Sequence, residues 1–255
     1  MASISKPSAD DAWLSARIED AYNLCQLRSC PRFVGFLDEH RQAVARVVLR
    51  TTGYTHYAFF GGYDGAERTI FGVFPDFMDI DETLFPLEAM CFRYRSCAAL
   101  THRDFLGTLL SLGIKREAVG DIVCGSGQTV VFLLQDVAPY IAENVTKVGG
   151  EGVTVEYPYT DPVRVHREFR EQTDTVASPR LDAVIKSALR ISREEAARRI
   201  ETGCVCVNHI PCETVSATVK EGDVLSVRGS GRFLVDTIGP QTKKGRWIIV
   251  LKQYL

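Results

Sequence analysis

The sequence predicts an α+β fold in three compact units. These are an N-terminal α/β unit over 1–80, a second unit over 81–160 and a third over 178–255, with a linker at 161–177. Three observations carry this reading. Between residues 87 and 157 the apolar pattern runs β-α-β-β-α-β, the order of a split βαβ arrangement. After Pro179 a helical stripe of Leu181, Val184, Ile185, Ala188 and Leu189 gives way to short alternating segments that read as strands. The chain has 255 residues, 45% of them hydrophobic and 24% charged, enough for several small cores.

Residues 10–28 place Trp13, Leu14, Ile18, Ala21, Leu24 and Cys25 at helical spacing and predict an amphipathic helix. A second helix spans 38–52, opened by Asp38 and closed by Gly53. Strands at 55–60 and 68–74 flank the turn Gly61-Gly62-Tyr63-Asp64-Gly65. Residues 75–86, with Asp76, Asp79, Asp81 and Glu82, read as an acidic loop and a boundary. The second unit follows with a strand near 88–94, a helix at 102–112, strands near 119–124 and 128–134, a helix at 136–146 and a strand near 152–156. Pro158, Pro162, Thr173, Asp174, Thr175, Ser178 and Pro179 give 158–178 the composition of a linker. In the third unit Ser192 stands three residues ahead of Glu195, a capping box for a second helix that turns Ala196, Ala197 and Ile200 inward and ends before Gly203. Strands at 204–208, 224–228 and 246–251 complete a helix hairpin on a small, mostly antiparallel sheet.

Charge is unevenly spread. Residues 178–255 hold 13 Lys and Arg against 8 Asp and Glu, a net of +5, while residues 1–177 hold 17 against 24, a net of −7. A basic C-terminal third on an acidic body is the footprint of a polyanion-binding module. No apolar run approaches the roughly 18 residues of a membrane span, so no membrane partner is predicted. The opening MASISKPSADDAW lacks the basic-then-apolar pattern of an export signal. Eight scattered cysteines are too few for a disulfide scaffold and read as reduced thiols of a cytoplasmic protein.

The run RLDAVIKSALRISREEAARRIETGCVCVNHIPCETVSATVKEGDVLSVRG resembles the S4 RNA-binding domain. It matches in the opening Arg-Leu-Asp, the Ser-Arg that starts the second helix, the apolar-Xaa-Xaa-Gly exit, the Val-Xaa-Val-Asn turn and the Gly-Asp-Val before the last strand. It departs after Asn208, where the domain usually has Gly and this chain has His209. That turn therefore takes a different backbone, or His209 adopts a left-handed conformation uncommon for non-glycine residues. THRDFLGTLLSLGIKREAVGDI and FLDEHRQ are similar to parts of YlmH-type proteins, and the similarity runs over most of the chain. The β-α-β-β-α-β order is that of ferredoxin-like domains, whose sheets often bind RNA, although the fold hosts many functions. The resemblance implies a bacterial, cytosolic RNA-binding protein of the large ribosomal subunit. Its RNA partners would be rRNA and tRNA, its role rescue of stalled translation, and cell-division proteins would be further partners.

The residues of the S4-like run are consistent with that role. Arg180 begins the first helix, and Arg190, Ser192 and Arg193 lie at the bend, where guanidiniums beside helix N-terminal amides suit phosphate. Arg198 and Arg199 sit off the apolar stripe, Asn208 and Lys220 lie in turns, and Arg228 and Arg232 complete the set. Folded RNA is read mainly through shape and backbone, which suits arginines with few aromatics. In the middle unit Thr101 caps a helix with Asp104 three residues on. His102 and Arg103 then occupy its first turn, and Lys115 and Arg116 follow its end. These four are the second candidate RNA contact. His102 and Asp104, two apart on a helix, do not face each other as an acid–base pair would.

No catalytic residue, metal or cofactor is predicted. An Arg-Leu-Asp tripeptide also carries the catalytic aspartate of pseudouridine synthases, which makes an RNA-modifying enzyme the alternative and a cell-division adaptor a third reading. Here Ala183-Val184-Ile185 continue an apolar stripe, so Asp182 reads as a charge favoured at a helix N-terminus. Gly125-Ser126-Gly127 joins two strands as a hairpin turn rather than a nucleotide loop. Cys204, Cys206, His209 and Cys212 lack a second ligand pair with zinc spacing. The acids of 76–82 lack a calcium-loop pattern.

Overall fold

Leu14, Ile18, Ala21 and Cys25 recur every three or four residues and are buried, so α1 (Ala9–Arg28) packs by that stripe. Trp13 and Leu24, expected within it, stay 49% and 42% exposed. Each stands about 100° round the helix from a buried neighbour. Next comes β1 (Arg32–Leu37), a strand the periodicity does not signal, because RFVGFL has no alternation and bends at Gly35. A Cβ on Gly35 would lie 2.9 Å from the Glu117 carbonyl oxygen. In α2 (Glu39–Thr52) both expected caps are present: the Asp38 carboxylate accepts from the Arg41 amide at 2.9 Å, and Gly53 closes the helix at φ 75°. With β2 (Tyr57–Phe60) and β3 (Thr69–Val73), β1 forms an antiparallel sheet in the order β1-β3-β2.

The computed structural model describes residues 9–165 and 167–255, and these divide into two compact units, Trp13–Val165 in one and residues 9–12 with 167–255 in the other. The first continues with β4 (Leu87–Arg93), α3 (His102–Ser111), β5 (Val119–Cys124), β6 (Gln128–Leu134) and α4 (Ala138–Asn144). The two-residue β7 (Lys147–Val148) and β8 (Glu151–Gly152) pair with each other, and β9 (Thr154–Glu156) is the last strand of the unit. The second sheet, antiparallel with order β5-β6-β4-β9, has the expected ferredoxin-like connectivity. Met90, Phe92, Val131 and Leu133 face Phe105 and Leu109 of α3 and Ala138 and Ile141 of α4.

The opposite face is closed. Cys91, Val130 and Phe132 meet Phe36, Ile70, Phe74 and Phe85 in one buried cluster. The two sheets are thus stacked, with α1 and α2 outside one and α3 and α4 outside the other. The helix-free face that ferredoxin-like sheets often offer to RNA is therefore already a core here. The acidic stretch 75–86 separates the sheets in sequence while phenylalanines join them in space. Polar ties reinforce the join. Asp121 on β5 accepts from the Tyr63 hydroxyl and the Glu67 amide, each at 2.7 Å, and from the Arg68 amide at 3.0 Å. Arg68 donates to the carbonyls of Val119, Phe36 and Arg116. Burial, with the nearby Arg116 charge, pushes its pKa down to about 10.

Gly62 is the tightest point of this stack. At φ 95° it lies where a Cβ would come within 2.4 Å of the Phe132 ring, itself stacked on Tyr63 with centroids 5.0 Å apart. Gly62→Ala is expected to destabilise this unit by about 2–4 kcal/mol, combining left-handed strain with overpacking. A thermal or urea melt of the variant measures the loss, and an unchanged midpoint would contradict the stacking described.

The second unit opens with β10 (Phe169–Val176), inside the stretch with linker composition. Only Val176 is buried, because β10 is a charged edge strand, paired along all its residues with β15 (Trp247–Tyr254). Between them come α5 (Leu181–Leu189), α6 (Arg193–Glu201), β11 (Val205–Val207), β12 (Ile210–Pro211), β13 (Val224–Val227) and β14 (Gly231–Gln241). The antiparallel sheet runs β10-β15-β14-β13-β11-β12. Its core holds Leu181, Val184, Ile185, Ala196 and Ile200 from the helices against Val205, Leu225, Val235, Ile249 and Leu251. Asn208 and His209 turn the β11–β12 hairpin at φ 50° and 67°, the two left-handed positions of a type I′ turn. His209 therefore takes the second of the two conformations foreseen for it. Among the described residues no helix is long and apolar enough to cross a membrane.

Candidate nucleic-acid interface

The S4-like unit is organised around a carboxylate. Leu181 anchors the start of α5 in the core and carries Asp182 beneath the surface, where it is 2% exposed. Arg180, the N-cap residue of α5, donates from Nε and Nη2 to the two Asp182 oxygens at 3.1 and 3.3 Å. Arg193, first residue of α6, donates from Nε at 2.8 Å, and the Ala183 amide donates at 3.0 Å. Both guanidiniums remain open, with side chains 40% and 59% exposed. Burial raises the Asp182 pKa, but the hydrogen bonds and charges of Arg180 and Arg193 outweigh it and hold the group below its ordinary value. Asp182 is thus more than a helix-terminal charge: it clasps two arginines from different helices.

Arg190 ends α5 in the left-handed region at φ 55°, where glycine costs least. Ser192 then caps α6 by accepting from the Glu195 amide at 3.0 Å. The reciprocal half of the expected capping box is replaced, because the Glu195 carboxylate takes Arg198 and Arg199 instead. β10 lies beside α5, held by the Ser187 hydroxyl donating to Asp174 at 2.6 Å and by Gln172 donating to the Ser187 carbonyl at 2.7 Å. Between them runs a groove of about 510 Å³ whose cations are Lys186, Arg190, Arg193 and Arg246 and whose one acid is Asp174. Arg246 is fixed there by donating from Nε to Thr175 Oγ1 at 3.0 Å.

The structure therefore joins Arg180 and Arg193 on Asp182 and sets Arg190 beside Arg193 along the groove. Arg198 and Arg199 form a second group on Glu195, and Arg199 also donates to Ser230 at 2.9 Å, two residues past the exposed Arg228. Arg232 lies over the Tyr254 ring at 4.9 Å. Asn208 is occupied by its turn, donating to Asp223 at 2.8 Å and accepting from the Val224 amide at 2.9 Å. The Lys220 amide donates to the same Asp223, leaving an exposed residue at that turn. In the other unit the Asp104 carboxylate accepts from the Thr101 amide and hydroxyl, so the expected cap of α3 is present and His102 and Arg103 open the helix, both exposed. Desolvation and the Arg116 charge lower the His102 pKa, which favours the neutral imidazole. Lys115 is exposed, but Arg116 turns inward and donates to the carbonyls of Val119 and Gly120. Among the described residues no group of three or more His, Cys, Asp or Glu could hold a metal ion.

Comparison with known proteins follows the same division. Residues 83–161 match the family model "Putative RNA-binding domain in YlmH", and residues 179–225 match the S4 domain. Over 226 residues the chain is 34% identical to the ribosome-associated protein quality control protein P2 of Bacillus subtilis (strain 168), covering 87% of each chain. The chain belongs to the YlmH-type family. A solved structure, the cell division protein ylmH from Streptococcus pneumoniae, superposes with a TM-score of 0.52 at 17% identity over 58% of this chain and 91% of that one, a likeness of fold. In this YlmH-type protein the groove residues that sequence reasoning passed over are Lys186 and Arg246. Lys186 could have been found, since Asp182, Lys186 and Arg190 follow one another at i, i+4 on α5. Arg246 had no local signal, because only the pairing of Val176 with Trp247 brings it to the groove.

Proposed function

We propose that this YlmH-type protein binds structured RNA on the large ribosomal subunit, rRNA or tRNA held there, as a non-catalytic cytoplasmic factor in the rescue of stalled translation. The observation that carries the reading is the Asp182 clasp. A buried carboxylate pre-orients two exposed guanidiniums beside the Lys186–Arg190–Arg246 groove, so little side-chain freedom is lost when phosphates arrive. Arg190 supports it further, since a left-handed L-residue costs about 1–2 kcal/mol relative to glycine and its guanidinium faces the groove. Arg198, Arg199, Lys220, Arg228 and Arg232 extend the basic surface, while Ser192 and Asn208 shape the turns that present it. His102, Arg103 and Lys115 are a weaker second contact, and Arg116 acts there by bracing the backbone.

The state of Asp182 favours binding over uridine chemistry. Both its oxygens are engaged by Arg180, Arg193 and the Ala183 amide, which leaves a stabilised anion rather than a free nucleophile. The name of the Bacillus subtilis relative assigns that protein to the ribosome and to quality control, and this reading carries the role across. Sedimentation with purified large subunits tests it. Lys186→Glu/Arg190→Glu/Arg246→Glu is expected to weaken binding by about 100-fold or more, as charge-assisted contacts contribute roughly 1.5–3 kcal/mol each, with a normal melt. A folded triple variant that pellets like wild type would overturn the assignment.

A further inference from the structure

A second groove, of about 560 Å³, lies between α2 and the glycine turn joining β2 to β3, in a part of the chain that neither family model covers. Arg46, itself exposed, lays its guanidinium over the Phe59 ring with 4.4 Å to the centroid, and both residues line the groove. Gln42 is fixed by donating from Nε2 to the carbonyls of Leu37 at 3.1 Å and Glu67 at 2.7 Å, which commits its donors and leaves Oε1 as an acceptor. Asp64 and Glu82, both exposed, line the same groove, and neither carboxylate has a partner among the described residues. Gly61, Gly62 and Gly65 keep side chains out of the turn. The groove therefore combines a stacking platform with acceptor groups that lack donors.

We propose that this groove takes a guanine base. A purine stacks on an arginine plane as it does on an aromatic ring. Guanine alone among the common bases presents two adjacent N–H donors, at N1 and the exocyclic amine, and these match the acceptor-only edge of a carboxylate. Adenine presents a lone pair at N1 and would face that carboxylate acceptor to acceptor. The base could arrive in an unpaired guanosine of RNA or in a free guanine nucleotide. The site belongs to a different compact unit from the Asp182 clasp and does not depend on it.

Calorimetric titration of the full chain separates the sources, using guanosine monophosphate, adenosine monophosphate and two RNA hairpins that differ by one loop G or A. At least one guanine ligand should bind about tenfold or more tightly than its adenine counterpart, a difference of about 1.4 kcal/mol. Arg46→Ala should weaken it similarly, and Asp64→Asn/Glu82→Gln should erase the preference. Both variants alter exposed residues and should melt normally. A preference seen only with the hairpin assigns the base to RNA, and one seen with the mononucleotide assigns it to free nucleotide. The preference should persist in Lys186→Glu/Arg190→Glu/Arg246→Glu, which separates this site from the RNA groove. Equal binding of guanine and adenine ligands, no binding of either, or a preference surviving both sets of variants would overturn the proposal.

Discussion

Replacing Arg180 and Arg193 together with alanine should lower the stability of the S4-like unit by about 2–4 kcal/mol and remove RNA binding with it. The substitution strands a carboxylate that is 2% exposed. Breaking a fully buried pair costs about 3–5 kcal/mol. The lower figure applies because the two guanidiniums are half open to solvent, which already weakens each pair. Adding Asp182→Ala to the double variant removes the stranded charge, and should restore most of the stability without restoring RNA binding. That separation distinguishes a clasp from a helix-terminal charge. The pH response should also change sign. In the wild type the Asp182 pKa is depressed, so its contribution is full above the ordinary carboxylate value near 4 and is lost as pH falls through the lower folded value. In the double variant only the Ala183 amide still opposes burial, which then raises that pKa, so acidification from neutral pH should stabilise it. Urea melts at several pH values measure both slopes, and parallel slopes would rule the clasp out.

The second large effect is on salt. If Arg180, Lys186, Arg190, Arg193 and Arg246 each neutralise a phosphate, RNA affinity should fall about 10²–10³-fold between roughly 50 and 200 mM monovalent salt, through counterion release. Lys186→Ala should shallow the logarithmic slope by about one unit. A filter-binding or anisotropy titration with a structured RNA reads this directly. An affinity flat across that range would mean the groove cations do not meet phosphates.

What the sequence disclosed depended on whether the signal was local. Asp38 and Gly53 bracket α2 because capping is settled within four residues, and the stripe from Leu181 to Ala188 declares α5 for the same reason. β1 was silent because it is covered on both sides and interrupted by Gly35, which abolishes alternation. β10 was silent for the opposite reason: nearly all its side chains face water, so nothing apolar marks it. At the candidate interface Arg180, Arg190 and Arg193 were visible as charges outside the stripe. Their common partner was not. Asp182 and Arg193 are eleven residues apart and meet only because α5 and α6 fold back on each other.

The stacked sheets also impose an order on synthesis. β1, β2 and β3 leave the ribosome first, and the strand that supplies Val130 and Phe132 ends about 60 residues later. At roughly 5–20 residues per second, the nascent chain holds Phe36, Ile70 and Phe74 open for about 3–12 s. During that interval the newborn N-terminal half exposes a greasy surface that holdase chaperones would recognise. A ribosome that stopped between residues 74 and 128 would leave that half permanently unpaired, and its solubility would then rest on the chaperone rather than on its own fold.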